Sequence, residues 1–329
     1  MCYPLSMPKE ALPRLDSSAK LREIIRPLCR LSPGEIWEDP EGNHRVGVLD
    51  ATNPSQIDSL MRGELAVLHV DDPPYNIAVG KKKTEALFRR DCEAYIAFSR
   101  DWVREASRSL RDPGHLYVFL GADQERGFQP LPEFMVMMRG FEELRSRSFI
   151  TLRNQRGYGT QKNWMAVRQE LLYYAKGTPS FAVQYTDIPK LLKGYYKVVS
   201  GRLTENSKRG LGSTIRPGNV WVDIQQVFYR MEENVPGCYA QKPLKAIERI
   251  ICASTGKGDL VADFFCHAGT TLIAAERLGR RCLTCDIDPV FAEIAIRRLE
   301  RFRKTGKTGF QWLSPFPELD LSDLDRHGT

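Results

Sequence analysis

The sequence predicts an α/β chain whose functional residues sit on turns at the carboxyl ends of its strands. Three observations carry that expectation. The first is "ELAVLHV" (64–70), which is short, apolar and rich in β-branched residues; it reads as a buried strand and runs straight into "DDPPY" (71–75). The second is residues 260–288, "LVADFFCHAGTTLIAAERLGRRCLTCDID", which read as strand, small-residue turn, helix, strand and acid. The third is "EAYIAFSRDWVREASRSLRDPG" (93–114), where Tyr95, Phe98, Trp102 and Val103 recur at helical spacing before a Pro-Gly stop.

The remaining elements follow in order. Residues 1–43 are mixed and polar, with one helix-like piece, "SAKLREIIRPLCRL". "HRVGVLDAT" (44–52) reads as a strand ending at Asp50, and "IDSLMRG" as a short helix. "HLYVFLG" is another strand. The helix–stop–strand pattern recurs with "FEELRSRSFITLRN", and "VRQELLYYAKG" (167–177) closes this half. From about 180 to 232 the periodicity breaks down, and the segment is polar and basic, as an inserted module or a long functional loop would be. "QKPLKAIERIICAS" (241–254) is an amphipathic helix, and "FAEIAIRRLERFRK" after the 260–288 unit is a basic one. There is no internal repeat.

The chain has 329 residues, enough for one large α/β domain with an insertion or for two domains. Its formal charge of +7 points to an anionic partner such as nucleic acid. Basic residues interleaved with aromatics, as in "KLLKGYYK" (190–197), fit a groove for a phosphate backbone; each cluster alone fits a solvated face. No apolar run approaches the roughly 18 residues of a membrane span, and "MCYPLSMPKE" lacks an apolar signal core. A cytoplasmic location with reduced cysteines is therefore expected. Cys282 and Cys285 form a CxxC inside a strand-like segment without a second pair at zinc spacing, which reads as structural. "TGKT" (305–308) has Arg301 where a phosphate-binding loop needs glycine, which argues against a nucleoside triphosphate site.

Two prolines end the strand before them, because they lack the N–H a sheet requires. Asp72, Pro73, Pro74 and Tyr75 therefore form a stiff turn at a strand's carboxyl end, where open α/β sheets bind ligands. In the 260–288 unit, Asp286 falls 23 residues after Asp263, a nucleotide-binding βαβ layout whose turn lacks a true GxGxxG. A rigid turn or a packing glycine would explain either motif alone.

Together, "DPPY" and "DFFCHAGTT" resemble the S-adenosylmethionine-dependent DNA amino-methyltransferases, in the motif order of their β group. The resemblance runs from about His44 to Arg303 and includes "HRVGVLDAT", "GYGTQKNWMAVRQELLYYAKG", "GNVWVDI" and "QKPLKAIERII". It implies a doubly wound, mostly parallel seven-stranded sheet of the Rossmann-like methyltransferase type. The expected layout is an N-terminal extension (1–43), a catalytic half (44–179), a target-recognition region (180–232), a cofactor-binding half (233–305) and a tail (306–329). The implied cofactor is S-adenosylmethionine, without a metal. The implied partner is double-stranded DNA, with a cognate restriction endonuclease and a homodimer as further candidates.

The resemblance also assigns residues. Asp72 and the Pro73 carbonyl would accept the protons of a target amine, the prolines would hold both acceptors rigid, and Tyr75 would stack on the base. Asp286 would take the cofactor's ribose hydroxyls and Asp50 its adenine amine. Asp263, Phe265 and Gly269 belong to the strand and turn against the methionine end, with Thr270 and Thr271 at the helix N-terminus facing its carboxylate. Lys242 would close over the same end. For Asp50 and Lys242, a turn acid and an exposed lysine are the plain alternatives. Lys190, Lys193, Lys197, Arg202, Lys208, Arg209 and Arg216 would hold DNA phosphates, while Asn206, Ser207 and Thr214 would reach base edges.

One departure matters. Where the family turn reads D-P-F-x-G-S-G-T, this chain has Phe264 for proline and His267 for the first glycine. The expectation is an ordinary backbone conformation for His267 in a relaxed turn. Contact with the cofactor and a degraded cofactor site are the other two readings. The expected function is adenine-N6 methylation of DNA. The alternatives are cytosine-N4 methylation, an RNA or protein amide methyltransferase (against which the motif order argues), and a catalytically silent DNA-binding relative.

Overall fold

A computed structural model describes residues 12–75, 92–121, 130–158, 164, 166–190, 196–205 and 213–319. The strands are β1 (Ile36–Glu38), β2 (His44–Val48), β3 (Ala66–Asp71), β4 (Leu110–Leu120), β5 (Leu144–Tyr158), β6 (Ala166–Lys176), β7 (Tyr196–Val199), β8 (Arg202–Glu205), β9 (Val220–Trp221), β10 (Leu260–Asp263) and β11 (Arg281–Asp286). The helices are α1 (Ala19–Ile25), α2 (Pro54–Met61), α3 (Cys92–Ser109), α4 (Leu131–Met138), α5 (Leu244–Ser254), α6 (Thr270–Leu278) and α7 (Pro289–Thr305).

Nine strands form one sheet in the order β1-β2-β11-β10-β3-β4-β6-β5-β9, and β7 pairs with β8 in a separate hairpin. Strands β2, β11, β10, β3 and β4 are mutually parallel, whereas β6 is antiparallel to both β4 and β5. The expected seven strands are the middle of this sheet. One short strand extends it on each edge, because β1 folds back antiparallel on β2 and β9 runs parallel beside β5.

Alternation along each strand makes the sheet doubly wound. Val46, Leu68, Val70, Tyr117, Phe119 and Val261 pack on one face against Ile247, Ile250, Leu272 and Ile296 of α5, α6 and α7. Leu116, Val118, Leu260, Ala262 and Leu283 pack on the other against Ile57, Trp102 and Phe134 of α2, α3 and α4. Cys282 and Cys285 fall on opposite faces of β11, so they do not converge as a metal pair; both are free thiols that burial pushes up in pKa.

Two readings are corrected. The helix expected over 93–114 ends at Ser109, and the Pro-Gly stop lies inside β4. There the register against β3 slips between Leu110 and His115, so the prolyl segment occupies an irregularity instead of a helix end. The N-terminal extension, read as mixed and polar, contributes a third core. Leu12, Leu15, Leu21 and Ile25 are buried against Val235, Cys238, Val290, Phe291 and Phe316. Among the described residues no helix is long and apolar enough to cross a membrane.

Candidate active site

Because β2, β11, β10 and β3 run parallel, the acids that follow them arrive at one edge of the sheet. Asp50, Asp72 and Asp286 line a single cavity of about 510 Å³, a size that suits a small-molecule cofactor. Pro73, Pro74, Tyr75, Lys242, Phe265 and His267 line it as well.

The D-P-P-Y turn is held from three sides. The Tyr95 hydroxyl of α3 donates to the Pro74 carbonyl at 2.7 Å. The Tyr75 hydroxyl donates to Asp72 Oδ1 at 2.7 Å and accepts from Gln169 Nε2 of β6 at 2.6 Å. The Lys242 ammonium donates to Asp72 Oδ2, and lies 5.1 Å from the Tyr75 ring centroid. Burial, reinforced by the Asp72 carboxylate, holds the Tyr75 phenol well above its usual range, so it stays a donor. Both oxygens of Asp72 thus carry a donor.

On the cofactor side, Asp286 is fixed by two backbone donors: His267 N to Oδ2 at 2.9 Å and Asp288 N to Oδ1 at 3.0 Å. Each oxygen keeps a lone pair for a diol. Burial dominates and raises this carboxyl to about 6, against the lowering effect of those N–H groups. Asp50 Oδ1 accepts from Thr52 N at 2.8 Å and from Thr52 Oγ1 at 2.7 Å. Phe264, Phe265, Ile287 and Phe291 supply the apolar wall for a flat ring. An acid fixed for a diol beside an apolar slot fits an adenosyl group.

Four expected cofactor residues do not line this cavity. Asp263 is buried beneath the turn, accepting from Phe265 N at 2.9 Å, with its carboxyl raised by burial and by nearby Asp71. Thr271 hydrogen-bonds Asp263, and Thr270 Oγ1 accepts from Arg298 at 3.2 Å. Gly269 (φ +69°) faces α7, where a Cβ would meet that of Ala295 at 2.7 Å; it permits helix packing. Asp263, Thr270 and Thr271 instead line a small adjoining pocket of about 20 Å³ with Asp72, Lys242, Phe265 and His267.

His267 does not have the ordinary backbone conformation expected of it. Its φ is +44°, a left-handed value that costs a non-glycine residue about 1–3 kcal/mol. The turn geometry that glycine normally serves is retained, and the strain is carried by the histidine.

Sequence reasoning missed Tyr95, Gln169, Asp71 and Arg298. Asp71, fully buried, accepts from Phe264 N at 2.9 Å and so ties β3 to the turn after β10. Its only signal was the doubled acid in "DDPPY". Arg298, also fully buried, donates to the carbonyls of Ala268 and Thr308, both at 2.7 Å, and burial lowers it to about 10. In the sequence it is one arginine among several on a basic helix.

Of the expected DNA-binding residues, Lys193, Lys208 and Arg209 lie outside the described residues, as do Asn206 and Ser207. Lys197 and Arg202 fall in the β7–β8 hairpin. Lys190 N donates to the Ser213 carbonyl at 2.9 Å, and Thr214 bridges to Pro189. Arg216 lines a separate pocket of about 200 Å³ with Tyr173, Trp221 and Arg249.

A Rossmann-like sheet that brings a D-P-P-Y turn and a backbone-fixed acid to one edge has the layout of a nucleotide-binding α/β protein. The family model for DNA methylases of the N6/N4 type matches residues 67–297, and the chain belongs to this S-adenosylmethionine-dependent DNA amino-methyltransferase family. It is similar to the type II methyltransferase M.HpaI of Haemophilus parainfluenzae, at 28% identity over 71% of this chain and 68% of that one. It is also similar to the DNA adenine methyltransferase YhdJ of Escherichia coli K12, at 26% identity over 70% and 74%. Among solved structures, the cytosine-N4-specific PvuII DNA methyltransferase shares the fold, with a TM-score of 0.54 at 15% identity over 82% of this chain and 89% of that one.

Two predictions arise here. Tyr75→Phe keeps the ring but removes a donor from Asp72, so turnover should fall only a few-fold. In Tyr75→Ala turnover should fall about ten times further, as expected if the ring is a stacking surface for the base. Equal losses in steady-state assays would remove stacking from the account. Cofactor affinity should decline as pH drops through about 6, because protonation of Asp286 in the free protein removes an acceptor from the diol site. Calorimetric titration between pH 5 and 8 checks this, and a flat profile would exclude Asp286. The stability effect has the opposite sign. Because the folded-state pKa is raised, this group's contribution is present below about 4 and is lost as pH rises through about 6.

Proposed function

We propose that the chain methylates the exocyclic N6 of adenine in double-stranded DNA, on a base flipped out of the duplex. The observation that carries this reading is the convergence of Asp72 and Asp286 on one cavity. S-Adenosylmethionine supplies the electrophilic methyl group. Asp286 and Asp50 would hold its adenosyl portion against the phenylalanine wall, leaving the methionine end toward Lys242.

The chain's own part is to free the amine lone pair. In a base that lone pair is delocalised into the ring, and acceptors on the two N–H groups favour the pyramidal, nucleophilic form. Asp72 Oδ1 accepts a hydrogen bond from one N–H after the Tyr75 hydroxyl yields its place. The rigid Pro73 carbonyl accepts a hydrogen bond from the other. Lys242 holds the opposite carboxylate oxygen, which keeps Asp72 oriented. Tyr75 presents its ring to a base that has left the stack. Adenine is favoured over cytosine by the Asp-first turn, and YhdJ, a relative over most of its length, is a DNA adenine methyltransferase.

The segment 180–232 is proposed as the target-recognition region, with its basic residues on phosphates. Its β9 end belongs to the main sheet, which would anchor it beside the catalytic half. A companion restriction endonuclease fits a relative such as M.HpaI, a type II methyltransferase. The test is transfer of a labelled methyl group to unmethylated duplex DNA, to RNA and to protein. Label in DNA alone is expected. Label in RNA or protein, or no transfer by a protein that binds the cofactor, would overturn the reading.

A further inference from the structure

His267 carries backbone strain in a turn where glycine would carry none, so its side chain is the place to look for a compensating role. Its Nε2 lies 2.6 Å from Oδ1 of Asp16, a buried residue of the N-terminal extension. The other Asp16 oxygen accepts from Tyr239 N at 2.6 Å, so both oxygens of this carboxylate are committed. The His267 ring also packs on Phe291, with centroids 4.7 Å apart. At the same time its backbone N–H donates to Asp286. One residue therefore joins the N-terminal extension, through its side chain, to the diol-binding acid, through its backbone.

The extension is seated for this contact. Leu15 is fully buried, and its N–H donates to the Gly237 carbonyl at 2.9 Å. Gly237 has a φ of +91°, and a Cβ there would meet Leu15 at 2.8 Å, so that loop is shaped to receive it. Arg22 donates to the Leu15 carbonyl at 2.6 Å and pairs with Asp288, also at 2.6 Å, two residues beyond Asp286. Arg14 lies over the Tyr239 ring, and Arg14 and Asp16 both line the cavity that Asp286 lines.

We propose that Asp16 and His267 form a clasp by which residues 12–18 complete the wall of the S-adenosylmethionine cavity and hold Asp286 in its binding position. The inference rests on the reading of that cavity as the cofactor site. It gives the histidine a role that glycine could not fill. Restoring glycine would relax the turn and release the wall, so the relaxed protein would bind more weakly despite losing strain. Asp16 and His267 act here as positioning residues.

The test is calorimetric titration of the full chain with S-adenosylhomocysteine, with Asp16→Ala, His267→Gly, the double variant and Asp286→Ala. Each single clasp variant is expected to bind about tenfold more weakly than the unaltered protein. The double variant should be no weaker than the weaker single one, because both remove the same contact. Limited trypsinolysis after Arg14 supplies a readout that global stability does not. Ligand should slow this cleavage in the unaltered protein and leave it unchanged in Asp16→Ala, a variant that keeps the His267 turn. Asp16→Ala and His267→Gly binding within twofold of the unaltered protein, while Asp286→Ala loses affinity, would overturn the clasp and leave the cavity reading standing. Cleavage of the unaltered protein that ignores ligand would also overturn the clasp. Undiminished binding by Asp286→Ala would instead overturn the cavity reading, and the clasp with it.

Discussion

Replacing Asp72 with alanine is expected to lower the single-turnover rate of methyl transfer by roughly a thousandfold, the scale seen when a preorganised polar group is removed from a transition state. The cofactor Kd should change by no more than a few-fold, because Asp50 and Asp286, the proposed cofactor acids, remain. Lys242 complicates the alanine variant. It is 8% exposed, and losing its partner leaves a nearly buried cation unpaired. Asp72→Asn keeps the shape and one acceptor while removing the charge, so it separates catalysis from packing. Both variants should be impaired, with asparagine retaining more activity. Near-normal turnover in Asp72→Asn would mean that the carboxylate charge does no catalytic work.

Replacing Asp286 with alanine should weaken S-adenosylmethionine binding by about 1–3 kcal/mol, or about 5- to 150-fold, as expected for a buried polar ligand losing its acceptors. The loss has two sources. The diol loses its carboxylate, and the N–H groups of His267 and Asp288 lose the acceptor that fixes the turn. Equilibrium titration of the variant checks this, and an unchanged Kd would remove Asp286 from the site.

The parts of the site that were legible in the sequence are those where covalent chemistry restricts the chain. Two consecutive prolines end β3 wherever it is placed, so Asp72 and Tyr75 had to stand on a turn at its end. The spacing from Asp263 to Asp286 is the length of one strand–helix–strand unit, so both acids had to reach the same sheet edge. Contacts between distant segments carry no such local signal. Gln169 reaches Tyr75 from 94 positions away, and Asp16 reaches His267 from 251. Strand β9 is two residues long and exists because β5 offers it an edge. His267 shows the same limit: the substitution was visible as a departure from glycine. Its left-handed φ and its contact with Asp16 appear only in the structure. Gly269 stood out in the sequence as part of the turn, but its packing partner Ala295 on α7 carries no local signal.

The central claim is that Asp72 and its turn deliver a methyl group to the N6 of adenine. Mass spectrometry of nucleosides from unmethylated duplex DNA, incubated with the protein and S-adenosylmethionine, tests it most directly. The account predicts N6-methyldeoxyadenosine with the unaltered protein and almost none with Asp72→Ala. N4-methyldeoxycytidine in its place, or equal product from the Asp72→Ala variant, would contradict it.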